Sequence, residues 1–139
     1  NGSGNNEAME KEFQARDAAS QAWLQTSFTQ ARQRGARAVV LAFHADIGLR
    51  ATAETSIGHG FGAFFNVLRE AVEAYGKPVL LVHGDGHVWR NDHPLRRDDN
   101  KLITNLQRVA TFGPPANGWA EIIVSGEDPA RFTVIPHPL

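Results

Sequence analysis

The chain has 139 residues, 42% of them hydrophobic and 21% charged, and its formal net charge is −1. This length fits a single domain over residues 1–139, and the dispersed basic residues leave no electrostatic footprint for nucleic acid. No apolar run approaches the roughly 20 residues of a membrane span, so we expect a soluble protein, cytoplasmic or exported. The absence of cysteine excludes disulfides and thiolate metal ligands.

The first part of the chain is predicted to alternate helices and strands. Apolar residues recur at the helical period over residues 7–34 and again over residues 61–75. Residues 38–43 and 79–82 are short apolar runs, which are typical of strands covered on both faces. This order predicts parallel strands with flanking helices and right-handed crossovers. The connection over residues 45–60 is longer than usual, which favours a functional role for it.

The last third of the chain is predicted to be an antiparallel meander. Residues 88–101 are charged and contain Pro94, so we expect a loop there. Residues 106–112, 119–124 and 132–135 then read as strands separated by short glycine- and proline-rich turns. The fold class predicted from the sequence is therefore α/β, with a parallel part followed by a C-terminal antiparallel part.

Side chains that could bind a metal follow both predicted parallel strands. His83, Asp85 and His87 come at the end of the second strand, and His44 follows the first. Ligands bind at the carboxyl ends of strands in open α/β sheets, and imidazole and carboxylate suit a divalent metal. If the chain stayed extended, residues 83, 85 and 87 would share a face. Strand-end polar residues can equally cap backbone groups or face solvent, and the sequence leaves that alternative open.

Three short segments resemble motifs of the calcineurin-like metallophosphoesterases. The matches are Gly84-Asp85-Gly86-His87 to G-H-x-H, His44 to a lone histidine after a strand, and Gly4-Asn5-Asn6-Glu7 to G-N-H-[ED]. The chain resembles only the C-terminal half of that family, which implies a partial αββα sandwich. The resemblance implies the metal ligands Asn5, His44, Asp85 and His87, with His83 as a further candidate. The metal would be divalent Mn, Fe, Zn or Ni.

The departures from the family pattern bear directly on activity. Asp85 stands where the family has a histidine, and Asn6 stands where the family has its proton-donating histidine; an amide cannot act as a general acid. Apart from Asp85-Gly86-His87, which belongs to the segment matched to G-H-x-H, the sequence has no D-x-H motif, and it has no G-D-x-x-D motif. In the family these two motifs supply the bridging carboxylate of a two-metal site. We therefore expect weak metal binding or none.

Two functions remain open from the sequence. The first is a fragment or incomplete member of a metal-dependent phosphoesterase, inactive alone; the alternative is a non-catalytic α/β binding or interaction domain derived from that fold. Half a sandwich leaves a sheet face uncovered, and large exposed apolar patches mark interfaces. We therefore expect a homo-oligomer or a complementing N-terminal half as partner.

Overall fold

The computed structural model describes residues 3–49, 60–126 and 132–139 of the chain. The described residues form, in chain order, α1 (Ser3–Gln33), β1 (Val39–Ala42), α2 (Gly62–Tyr75), β2 (Val79–His83), β3 (Arg90–Asp92), β4 (Leu106–Ala110), β5 (Gly118–Val124) and β6 (Phe132–Pro138). No helix in these described parts is both long and apolar enough to cross a bilayer.

A four-stranded sheet with the strand order β1-β2-β4-β3 forms the centre of the molecule. β1, β2 and β4 are parallel, and Val79 of β2 lies between Val39 and Leu106 in register. The short strand β3 pairs antiparallel with β4 at the edge. The parallel strands, the flanking helices and a separate antiparallel pair confirm the predicted α/β class.

Both helices cover one face of this sheet. Leu41, Val79 and Leu81 pack in a buried cluster with residues of α2, including Leu68, and of α1, including Phe28. Gly76 ends α2 in the left-handed conformation, with φ of 65°, as expected for a helix C-terminus. This helix-side cluster is the main hydrophobic core of the molecule.

Helix α1 buries less of its apolar stripe than the sequence predicts. Leu24 and Phe28 are fully buried, whereas Met9 and Trp23 are mostly exposed. Helix α2 has only 14 residues, about 21 Å at 1.5 Å per residue, and therefore spans less than half of the 31-residue α1.

A hairpin of β5 and β6 lies on the opposite face of the sheet. Leu80 and Val109 are buried there against Phe132 of β6, and Ile122 and Val134 pack on the same cluster. The order of layers is therefore helices, four-stranded sheet and two-stranded hairpin. The hairpin leaves Val40 of β1, on the edge of the sheet, 53% exposed.

The structure corrects two details of the predicted strand order. β4 does not begin a meander, because it pairs parallel with β2 inside the main sheet; of the three strands predicted for the meander, β5 and β6 pair antiparallel with each other. Residues 90–92, predicted to lie in a loop, form β3. The sequence Arg90-Asn91-Asp92 has no apolar alternation, so β3 depends on its pairing with β4 rather than on its own side chains.

Candidate functional site

The parallel strands bring their carboxyl ends to one rim of the sheet. The Gly84 N–H donates to the His44 carbonyl oxygen at 3.0 Å, and the Thr111 N–H donates to the His83 carbonyl oxygen at 2.9 Å. These bonds continue the sheet for one step beyond β1, β2 and β4. The segments that follow the three strands are therefore held side by side, which is the position where α/β sheets bind ligands.

His44 and Asp85 meet at this rim. The His44 Nε2 and Asp85 Oδ1 atoms are 3.9 Å apart, and the side chains are 82% and 59% exposed. Both groups are open to solvent, so their mutual attraction is screened and contributes little to stability. Their donor atoms remain accessible to an ion or a small ligand.

The chain does not stay extended after β2. Asp85 and His87 both have left-handed backbone, with φ of 64° and 53°, a conformation that is uncommon for residues other than glycine. His83, Asp85 and His87 therefore do not share a face: His83 is buried, while Asp85 and His87 are exposed. Non-glycine residues in this conformation cluster at binding and catalytic sites, which makes the 84–87 turn a functional candidate.

The His87 imidazole packs against Gly113, which follows β4. A methyl group at Gly113 would lie 2.4 Å from the ring atoms Cγ and Cδ2 of His87, closer than any real contact. Gly86 has a similar constraint, because a methyl group there would lie 3.0 Å from Asp46 Oδ2. The other oxygen of Asp46 accepts the Gly48 N–H at 3.0 Å. The turn is thus packed between the segments that follow β1 and β4.

His83 is the one buried histidine among the described residues, with 2% of its surface exposed. Its Nδ1 lies 3.2 Å from the Gly84 carbonyl oxygen, and its Nε2 has no hydrogen-bond partner within the described parts of the chain. Burial lowers the pKa of His83, and the nearby Arg108 charge acts in the same direction; the Gly84 hydrogen bond, Asp46 and Asp92 oppose the shift. A neutral imidazole follows, since burial disfavours the charged form.

An ion pair between a buried arginine and a partly exposed aspartate joins the neighbouring strands β4 and β3. Arg108 of β4 donates from Nε and Nη2 to the two carboxylate oxygens of Asp92 in β3, at 2.8 and 2.6 Å. Its Nη1 donates to the Leu49 carbonyl oxygen at 2.9 Å. The sequence analysis missed this pair, although an arginine inside an apolar strand signals that a partner must be present.

The predicted metal ligands are only partly brought together. His44 and Asp85 meet, His87 packs toward Gly113, and His83 is buried. Asn6, at the family's acid position, is exposed on α1, and the side chain of Asn5 lies outside the described residues. Within the described ranges, no three His, Asp or Glu side chains form a group that could hold a metal ion. The chemistry of His44 and Asp85 suits a divalent metal, but two ligands are an incomplete set.

Comparisons with known proteins do not extend this description. No protein-family model, no curated protein and no solved structure matches the chain. The similarity to calcineurin-like metallophosphoesterases therefore stays a prediction from the motifs at residues 4–7, 44 and 84–87.

Proposed function

We propose that this chain carries one part of the site of a metal-dependent phosphoesterase and is inactive alone. The observation that carries the proposal is the contact between His44 and Asp85 at the carboxyl rim, with Asp85 in a left-handed turn. These residues follow different strands, 41 positions apart in sequence, and only the parallel pairing of β1 and β2 places them together.

The chemistry of the complete site would come from bound metal, which activates a hydroxide for attack on a phosphate ester. This chain would contribute His44 and Asp85 as ligands. The close packing at Gly86 and Gly113 would keep the 84–87 turn in position. The sequence has no G-D-x-x-D motif and no D-x-H motif separate from the Asp85-Gly86-His87 already assigned, so it lacks the further carboxylates that the resemblance calls for. A complementing chain segment would have to supply them.

Metal binding can be tested without any activity. We expect Mn²⁺ to broaden the backbone amide NMR signals of His44 and Asp85 first, because a paramagnetic ion relaxes the nearest nuclei. Asp85→Asn should abolish this local broadening, since it removes the charge while asparagine tolerates left-handed backbone. Asp98→Asn is the matched control, because Asp98 is an exposed carboxylate elsewhere that pairs with Arg69. Broadening that Asp85→Asn leaves unchanged would contradict the proposal.

Inactivity of the isolated chain is a second expectation. Hydrolysis of bis-p-nitrophenyl phosphate with added Mn²⁺, Zn²⁺, Ni²⁺ or Fe²⁺ should stay at background, because the bridging carboxylate is missing. Turnover on the order of 1 per second or more, lost in His87→Ala, would show that this chain holds a complete site.

The alternative is a non-catalytic binding domain derived from the same fold. The departures from the family pattern at Asn6 and Asp85 favour it. The two functions differ in one measurement: supplying a segment with D-x-H and G-D-x-x-D should restore hydrolysis only for the phosphoesterase.

A further inference from the structure

The hairpin of β5 and β6 has one strand edge that is suited to pair with another chain. Within the described residues, β5 has β6 as its only strand neighbour. The outer edge of β6 is protected, because Pro136 and Pro138 lack the N–H that a further strand would need. β5, from Gly118 to Val124, contains no proline. Open, proline-free edges of this kind recruit other strands.

The outward face of the hairpin is also unusually apolar. Trp119 and Ile123 of β5 are 52% and 44% exposed, and Ile135 of β6 is exposed on the same side. Trp119 stacks on His137 with ring centroids 3.9 Å apart. A two-stranded hairpin is marginal by itself, whereas a continuous four-stranded sheet would extend both its hydrogen bonds and its apolar surface.

We propose that β5 pairs antiparallel with β5 of a second copy of this chain, about a two-fold axis at Ile122. Apolar residues stand on both faces of β5, so a second copy of the strand meets apolar side chains on either side: Ala120, Ile122 and Val124 on the inner face, Trp119 and Ile123 on the outer. Twofold pairing of identical surfaces is the commonest way in which identical chains close an interface. The pairing is independent of the proposed metal chemistry.

The charge of Glu121 selects the register. In a two-fold pair whose axis is perpendicular to the sheet, residues opposite each other must stand on the same face. An axis at Glu121 would place two carboxylates directly opposite, which is destabilising. An axis at Ile122 instead places Glu121 opposite Ile123 of the second copy and Ala120 opposite its Val124. Val124, now 56% exposed, would then gain an apolar neighbour.

The mass in solution gives the first test. Size exclusion with light scattering at micromolar concentration should give twice the 15.2 kDa of one chain. Ile123→Glu should raise the dimer dissociation constant by about tenfold or more, because it creates two like-charge pairs with Glu121 of the opposite copy. Ile123→Lys also removes the isoleucine but faces Glu121 with the opposite charge, so it should not weaken the dimer in this way.

Two further variants distinguish an effect on the β5–β5 interface from an effect on the rest of the hairpin. Thr133→Glu places the same charge on the outward face of β6, one strand away, and should leave the dimer unchanged. The double variant Glu121→Lys with Ile123→Glu should recover most of the affinity that Ile123→Glu loses, because it places opposite charges across the β5–β5 interface. Far-ultraviolet circular dichroism confirms that each variant is folded.

A cross-link reads the register directly. Opposite residues in an antiparallel pair have Cα atoms about 4.5–5.5 Å apart, within the range for a disulfide, and the chain has no cysteine of its own. Ile122→Cys should therefore form a covalent dimer under mild oxidation, whereas Thr133→Cys should not. A monomeric mass, or a dimer that Ile123→Glu and Thr133→Glu weaken equally, would overturn the β5 pairing.

Discussion

The two faces of the central sheet are covered in very different ways. On the helix side, Leu81 and its neighbours lie in a large buried cluster that α1 and α2 close. On the hairpin side, the buried cluster among the described residues consists of Leu80, Val109 and Phe132, and Val40 is half exposed. Two strands cannot span a sheet of four strands. Among the described residues, the helix side is therefore a closed core, whereas the hairpin side leaves part of the sheet exposed.

The sharpest test of this difference uses two adjacent leucines of β2. Leu81 and Leu80 are both fully buried, but they point to the helix side and the hairpin side respectively. Leu81→Ala should lower the free energy of unfolding by about 3–5 kcal/mol, and Leu80→Ala by about 2–3 kcal/mol. The difference is expected because the two-stranded hairpin can shift to fill the cavity left at Leu80, whereas the helices around Leu81 are held by many more buried contacts. Urea denaturation measures both, and equal losses would show that the two sides are equally rigid.

The ion pair between Arg108 and Asp92 offers a second, smaller effect. Asp92→Asn should lower the free energy of unfolding by about 2–3 kcal/mol, because it leaves the buried Arg108 guanidinium without its counter-charge. The partly exposed carboxylate keeps this value below that of a fully buried pair. Asp98→Asn removes the carboxylate of the Arg69–Asp98 pair, in which the aspartate is highly exposed, and should change stability by less than about 0.5 kcal/mol. A loss in Asp92→Asn no larger than in Asp98→Asn would mean that β3 contributes little.

The smallest effect concerns pH and His83. Its pKa in the folded chain is lowered from 6.5, so below about that pH the unfolded chain binds a proton that the folded chain does not. The free energy of unfolding therefore carries no penalty from His83 above pH 6.5, and it decreases as the pH falls from 6.5 toward the lower pKa of His83 in the folded chain. His83→Asn should flatten this part of the stability curve, measured by urea denaturation between pH 5 and 8. An unchanged slope would assign the pH dependence to other groups.

Local patterns in the sequence determined a large part of the fold. Continuous apolar runs marked β1 and β2, and the periodic stripe with Gly76 after it marked α2, because burial requires apolar residues at the spacing of each element. The sequence also predicted that His44 and Asp85 lie at the same rim of the sheet. Parallel strands end at a common edge, so residues after them are neighbours whatever the detail of the turn.

Only the tertiary structure decided the pairing of β4, the existence of β3 and the separation of His83 from Asp85. Each depends on contacts between segments distant in sequence. β4 pairs with β2 rather than with β5, Asp92 in a polar segment pairs with Arg108, and the left-handed turn at Asp85 sends alternate residues to different environments. Strand patterns fix which residues are buried, but partner choice is set by the whole set of packed layers. The sequence therefore determined the other elements and the rim, whereas tertiary packing decided the existence of β3 and which of the rim residues meet.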